Sequence, residues 1–205
     1  GLVGSLWALY LARRGYEVNV YERRSDMRKA KVAGGRSINL ALSDRGLRAL
    51  AAVGLTEKVR EMAIPMHGRM IHHLDGSTEL QPYGDQGQFI NSISRGGLNR
   101  LLMDEAEAHP KVKFIFDAPC HSLDERSLEA KVEIDGKLTT TDSEVVFGTD
   151  GAFSALRGDM MKMGRFNYQQ QYLEHGYKEL TIPPNEDGGF RMQKNALHIW
   201  PRKSF

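Results

Sequence analysis

At 205 residues the chain can hold one large domain, or one and a half, and a 40% hydrophobic content suffices for a core. Its 28 basic and 26 acidic residues leave a net charge of +2, and no basic tract interleaves with aromatics, which argues against a nucleic-acid partner. Cys120 is the only cysteine, so there is no intramolecular disulfide and no cysteine-built metal site, and no apolar run approaches the roughly 18 residues of a membrane span.

The first stretch, Gly1 to Glu22, reads as the back part of a dinucleotide-binding βαβ unit. Gly1 and Gly4 stand three apart and open an apolar helix that runs to Leu11. Arg13-Arg14-Gly15 stops it, and Tyr16 to Tyr21 alternates as a strand ending at Glu22. The chain begins at what would be the second glycine of G-x-G-x-x-G, so the first glycine and the strand before it are expected outside this sequence. A glycine at position 1 lets backbone approach a pyrophosphate, Gly4 lets the helix pack closely, and the helix N-terminus offers free N–H groups. Gly1, Leu2 and Gly4 are therefore candidate phosphate contacts. Glu22 stands where an acid accepts hydrogen bonds from a ribose and would repel a 2′-phosphate, which favours FAD or NAD over NADP. Arg23 flanks the same end.

Arg23 to Lys31 is a charged loop followed by Gly34-Gly35, and Arg36 to Leu42 alternates as a short strand. Ser43 or Asp44 caps a helix to Ala52, closed by Gly54. Thr56 opens a second helix to Met62, stopped by Pro65. Short strands are expected at 69–74, 78–82 and 88–93, the first two joined by a two-residue Asp75-Gly76 turn. Ser94 caps a helix from Arg95 to Ala108, with Leu98, Leu101, Leu102 and Ala106 at helical spacing. A strand at 112–116 follows, then a hairpin at 130–134 and 137–141 around Asp135-Gly136, and a buried strand at 144–148. Ser154 starts a further helix. Strands at 177–182 and 195–200 flank a Pro183–Gly189 loop. The order describes an α/β chain in which one sheet binds a nucleotide and a second, largely antiparallel region is inserted.

Several runs carry a more specific signal. Gly1/Gly4, Val20-Tyr21-Glu22 and Gly148-Thr149-Asp150-Gly151-Ala152 together resemble the flavoprotein aromatic hydroxylases, the single-component FAD monooxygenases. Gly35 to Ser43, Ile64-Pro65-Met66, Pro82-Tyr83-Gly84, Gln170-Gln171-Tyr172, His175-Gly176-Tyr177, Glu179 to Pro184 and Leu197 to Arg202 resemble its kynurenine-hydroxylating members. The resemblance covers nearly all of the chain but only the N-terminal part of such an enzyme. It implies a p-hydroxybenzoate hydroxylase-like fold, truncated at both ends. Residues 1–65 and 94–165 would form the Rossmann-like FAD-binding region, and 66–93 with 166–205 the inserted β region for substrate.

The resemblance also implies an activity: hydroxylation of L-kynurenine to 3-hydroxykynurenine with FAD, NADPH and O₂. The single cysteine fits a reducing compartment, and a cytoplasmic location is expected. The flavin supplies the chemistry, so no catalytic dyad and no metal are implied. By motif, Arg69 and Tyr83 would hold the substrate carboxylate, a task suited to a guanidinium. Arg36, Arg95 and Asp150 would face the flavin. From the residues alone each has a plainer reading, as a surface arginine, a turn tyrosine or a common Asp-Gly turn. Two alternatives stay open: a hydroxylase for another aromatic acid, and a nucleotide-binding chain without catalysis. His72 and His73 are neighbours on one strand and would face opposite ways, which argues against a shared metal. Cys120 reads as structural.

Overall fold

The computed structural model describes residues 1–29, 39–176 and 178–202. In chain order the elements are α1 (Leu2–Ala12), β1 (Val18–Tyr21), β2 (Asn39–Leu42), α2 (Asp44–Ala51), α3 (Thr56–Met62), β3 (Ile64–Met66), β4 (Gly68–His72), β5 (Thr78–Pro82), β6 (Ile90–Ser94), α4 (Arg95–Glu107), β7 (Val112–Ile115), β8 (Cys120–Leu123), β9 (Ala130–Ile134), β10 (Lys137–Thr141), a 3-10 turn (Gly151–Phe153), α5 (Ala155–Met160) and β11 (Leu197–Ile199). They divide into two compact units, residues 1–35 with 99–177 and residues 36–98 with 178–205.

In the first unit α1 buries Gly4, Ser5, Ala8, Leu9 and Ala12, one stripe at helical period. Gly15 closes the helix in the left-handed region, at φ +95°. β1 then pairs in parallel with β7, from Val18 opposite Val112 to Tyr21 opposite Ile115. Leu102, Met103 and Ala106 of α4 are buried. A separate antiparallel sheet runs β8-β9-β10. Its Asp135-Gly136 turn has φ of +51° and +73°, the two left-handed positions of a type I′ hairpin. The Ser154 hydroxyl caps α5 by accepting from Arg157 N, and Asp159 Oδ2 accepts from Leu123 N at 2.8 Å, which ties α5 to β8.

The loop after β1 is pinned by one arginine. Arg28 donates from Nε and Nη2 to the two carboxylate oxygens of Asp26, both at 2.8 Å, and Asp26 is only 7% exposed. The same guanidinium reaches Asp104 at 3.1 Å and Glu107 at 2.7 Å on α4, and lies over the Phe116 ring. The hydrogen bonds from Arg28, opposed by burial, hold the Asp26 carboxyl below its usual range.

The second unit holds two antiparallel-rich sheets, β2-β6-β3 and β11-β4-β5. Leu50, Val53, Leu55 and Val59 from α2, α3 and their connection are buried, as are Leu42, Met66 and Ile93 of the strands. β11 runs parallel to β4, with Leu197 opposite Arg69, while β5 runs antiparallel to it. Gly68 is buried where β4 and β5 cross closely. A Cβ there would meet the Gln81 carbonyl oxygen, with its carbon and Pro82 Cα both at 2.9 Å.

The structure departs from the sequence reading at identifiable points. α3 ends at Met62, ahead of Pro65, as expected, but Pro65 itself lies inside an unexpected edge strand, β3, where a missing N–H costs no ladder bond. The Asp75-Gly76 connection is longer than two residues: His73 N donates to Ser77 O, and Leu74, Asp75 and Gly76 form the loop, with Gly76 at φ +85°. Asp75 Oδ1 accepts from the N–H and hydroxyl of Ser77, and that local bond selects the longer loop. Residues 144–148 are not a buried strand: they carry no ladder among the described residues, and Val145 and Phe147 are 61% and 48% exposed. Residues 178–182 are likewise irregular, with Leu180 exposed. β8 is a strand the sequence pattern did not announce. Arg36 and the Gly34-Gly35 pair lie outside the described residues, so strand β2 is followed only from Asn39.

Two outcomes test this packing. Arg28→Ala strands the buried Asp26 carboxylate and should cost about 3 kcal/mol in urea denaturation at pH 7. Because the folded Asp26 carboxyl titrates below the unfolded one, the pair's contribution is complete above the unfolded value near 3.8 and fades as pH falls through the lower folded value. The gap between wild type and Arg28→Ala should therefore narrow in acid. Gly68→Ala should force β4 from β5 and cost about 2 kcal/mol, read in the same titration.

Candidate functional site

The nucleotide-facing residues of the first unit gather at the start of α1. Gly1 occupies the N-cap, no side chain caps the helix, and its first turn holds no acid, so its leading N–H groups are available to an anion. A Cβ on Gly1 would meet nothing within 4 Å, and Leu2 is half-buried. Glu22 comes to this end from β1: its Oε2 lies 3.2 Å from the Gly1 nitrogen, and its Oε1 accepts from Arg24 N at 3.1 Å. Arg23 beside it is exposed. Gly4 is buried against Thr149, whose Oγ1 would stand 2.7 Å from a Cβ. Trp7 meets Phe147 edge-on at 5.3 Å, so α1 lies along the 147–149 segment. Ser5 Oγ is fully buried without a hydrogen-bond partner. Bare helix N–H groups, an open glycine and a carboxylate at one helix end fit a dinucleotide's pyrophosphate and ribose.

Asp150 follows directly and is exposed; its Oδ2 accepts from Leu156 N at 3.4 Å. Arg157 donates to the carbonyls of Gly151, at 3.2 Å, and Ala152, and lies 5.3 Å over the Tyr168 ring. The Asp-Gly turn is thus clamped from α5, with Gly151 at φ +78°. Nothing in the spacing announced Arg157. The nearby Cys120 thiol is pushed up from its ordinary value, first by burial and then by the Asp150 carboxylate, as suits an unreactive thiol.

In the second unit Arg95 is exposed as the first residue of α4, and Ser94 Oγ accepts from Gly97 N at 3.2 Å. An arginine gains nothing from the helix dipole at that end. Arg69, on β4, is exposed, and its guanidinium carbon lies 5.6 Å from the Tyr83 ring centroid. Tyr83 follows β5, and its N–H donates to His67 O. Among the described residues Arg69 makes no ion pair, so this guanidinium, oriented by an aromatic face, has donors left for a carboxylate. Arg69 and Tyr83 are 14 positions apart in sequence, and the β4–β5 hairpin brings them together.

The histidines separate. His72 Nε2 lies 2.8 Å from His198 Nδ1 and its ring stacks on Trp200 at 4.3 Å. His73 instead approaches Glu79 at 3.5 Å, and His175 is exposed. Among the described residues no group of three or more His, Cys, Asp or Glu side chains converges as a metal site would require.

Comparison with known proteins gives the family and the fold. The family model described as "FAD binding domain" matches residues 1–175. Kynurenine 3-monooxygenase from Myxococcus xanthus is 52% identical over all of this chain and 45% of its own length. That from Sus scrofa is 46% identical over all of this chain and 44% of its own length. The chain therefore spans less than half of these relatives. Among solved structures, PqsL, a probable FAD-dependent monooxygenase from Pseudomonas aeruginosa, is similar with a TM-score of 0.62 and 23% identity, over 84% of this chain and 45% of that one. The flavin-dependent monooxygenase PieE, in complex with FAD and substrate, gives a TM-score of 0.66 and 18% identity, over 78% and 30%. These two likenesses establish the fold, a mixed α/β part of an FAD-binding architecture. The chain belongs to the FAD-binding domain family, and over its whole length it is similar to kynurenine 3-monooxygenases.

Proposed function

We propose that the protein carrying this chain is an FAD-dependent monooxygenase that converts L-kynurenine to 3-hydroxykynurenine with NADPH and O₂. The observation that carries the reading is the Arg69 guanidinium beside the Tyr83 ring, which makes no ion pair among the described residues and so suits the carboxylate of an aromatic amino acid. Bound FAD supplies the redox and oxygen chemistry. The chain's own residues bind and orient. The open N-terminus of α1 at Gly1, Leu2 and Gly4 takes the pyrophosphate, and Glu22 accepts from the ribose hydroxyls, with Arg23 alongside. By motif, Asp150 in its clamped turn and Arg95 would each serve the flavin, as would Arg36, which lies outside the described residues. Arg69 fixes the carboxylate in two hydrogen bonds, and the Tyr83 ring limits how the aromatic group turns.

In functional terms residues 1–65 and 94–165 serve the flavin, and residues 66–93 and 166–205 the substrate. We assign the protein to the cytoplasm, in keeping with its single, half-buried cysteine. Among the described residues no helix is long and apolar enough to cross a membrane.

In the full-length enzyme, Arg69→Ala should raise KM for kynurenine roughly thirtyfold, the equivalent of about 2 kcal/mol, with flavin content unchanged. An unaltered KM would remove Arg69 from the site. A panel of aromatic acids, followed by flavin reduction, separates kynurenine from other substrates of the same shape. Glu22→Gln should weaken FAD retention about tenfold, measured by flavin release on dilution, because charge-assisted bonds to the ribose become neutral ones.

A further inference from the structure

Strand β4 has two faces. Side chains alternate along it, so Arg69 and Ile71 stand on one side, Met70 and His72 on the other. On the His72 side, β11 brings His198 opposite Met70, and Trp200 follows two residues on. His198 Nε2 lies 2.9 Å from the Gln193 carbonyl, and His72 Nε2 lies 2.8 Å from His198 Nδ1. A carbonyl only accepts, so His198 carries its proton on Nε2. In the neutral ring Nδ1 is then an acceptor, and His72 Nε2 donates to it. The direction of the whole chain follows: His72 to His198 to Gln193. Trp200 stacks on His72 at an interplanar angle of 18°, and Arg202 Nη1 donates to the His72 carbonyl at 3.2 Å.

The contacts made by His72 join residues 126 or more apart and secure a strand only three residues long. Three residues of parallel ladder are a weak hold by themselves. Yet β11 is one of the two strands flanking Arg69, with Leu197 directly opposite it. We propose that the His72–His198 pair, backed by Trp200, is a positioning device that holds β11 on β4 and so fixes Arg69 for carboxylate recognition. The proposal rests on Arg69 being the carboxylate's partner. In this role the histidines need no contact with substrate or cofactor; they act through the ladder, from the opposite face of the strand.

The test uses the full-length holoenzyme and two ligands, L-kynurenine and kynuramine, which lacks the carboxylate. Each is titrated against the flavin absorbance. His198→Asn keeps an acceptor where Nδ1 stands and loses the bond to Gln193. His198→Gln keeps the Gln193 bond and loses His72. His72→Phe removes the donor but keeps a ring against Trp200. His198→Gln and His72→Phe should each weaken kynurenine binding about fivefold, as loss of one orienting hydrogen bond would. Kynuramine binding should not change, and His198→Asn should stay near wild type. Equal weakening of both ligands would mean general loosening of the sheet and would overturn the proposal. So would unchanged kynurenine binding in His198→Gln and His72→Phe, or a larger loss in His198→Asn than in His198→Gln. Arg69→Ala serves as the reference: if it leaves the preference for kynurenine over kynuramine intact, the carboxylate assignment itself fails, and this proposal with it.

Discussion

The parallel pairing of β1 with β7 is the constraint on which the first unit depends. Parallel neighbours cannot be joined by a tight turn; a crossover is obligatory. Here Tyr21 ends one strand and Val112 starts the other, so the crossover contains the loop from Arg23, the larger part of the second unit and α4. Such a long excursion does not by itself hold its two ends together, since loop closure costs more as the loop lengthens. Backbone bonds and one arginine near the ends do it instead. Glu22 N donates to Ile115 O, and Ala118 N donates to Glu22 O, extending the pairing past the strands. Arg28 then fastens the outgoing loop to Asp104 and Glu107 near the end of the returning helix. The carboxylate at residue 22 is held where the excursion leaves, and so stays at the mouth of α1.

Local signals were legible where one bond range decides the structure. Gly1 to Tyr21, both short helices after Ser43, the Ser94-capped helix and the Asp135-Gly136 hairpin all stand as the residues suggest. The errors come where a competing bond wins. Asp75-Gly76 and Asp135-Gly136 are the same dipeptide, yet Ser77 gives Asp75 a hydrogen-bond partner two residues on, and the first loop lengthens. Apolar residues at 145–147 suggested a buried strand, but a strand exists only beside a partner, and pairing is not written in one segment. β8 was missed for the converse reason: Cys120 to Leu123 has little alternation, and its strand character is conferred by β9 through a bulged register.

The candidate site divides along the same line. Gly1, Gly4 and Glu22 form a spacing that local chemistry explains, and the fold sets the carboxylate at the helix end. The nearness of Arg69 to Tyr83 needs only a hairpin, which the sequence contained. Arg157 on the Gly151 and Ala152 carbonyls, and His72 on His198, could not be read in advance. An arginine that binds backbone oxygen leaves no complementary acid in the sequence to look for. Two histidines 126 residues apart have no pattern until β11 lies against β4.

Pro65 has a consequence beyond the geometry of β3. A sheet's outer strand ordinarily exposes alternating donors and acceptors that any unfolded chain can copy. At residue 65 the donor does not exist, and the acceptor is already taken: Asn195 Nδ2 donates to the Pro65 carbonyl at 2.8 Å. The next open position is filled as well, since His67 N donates to Asn195 O. One proline and one asparagine thereby leave a foreign strand no template along this margin, and no charged side chain is needed to do it.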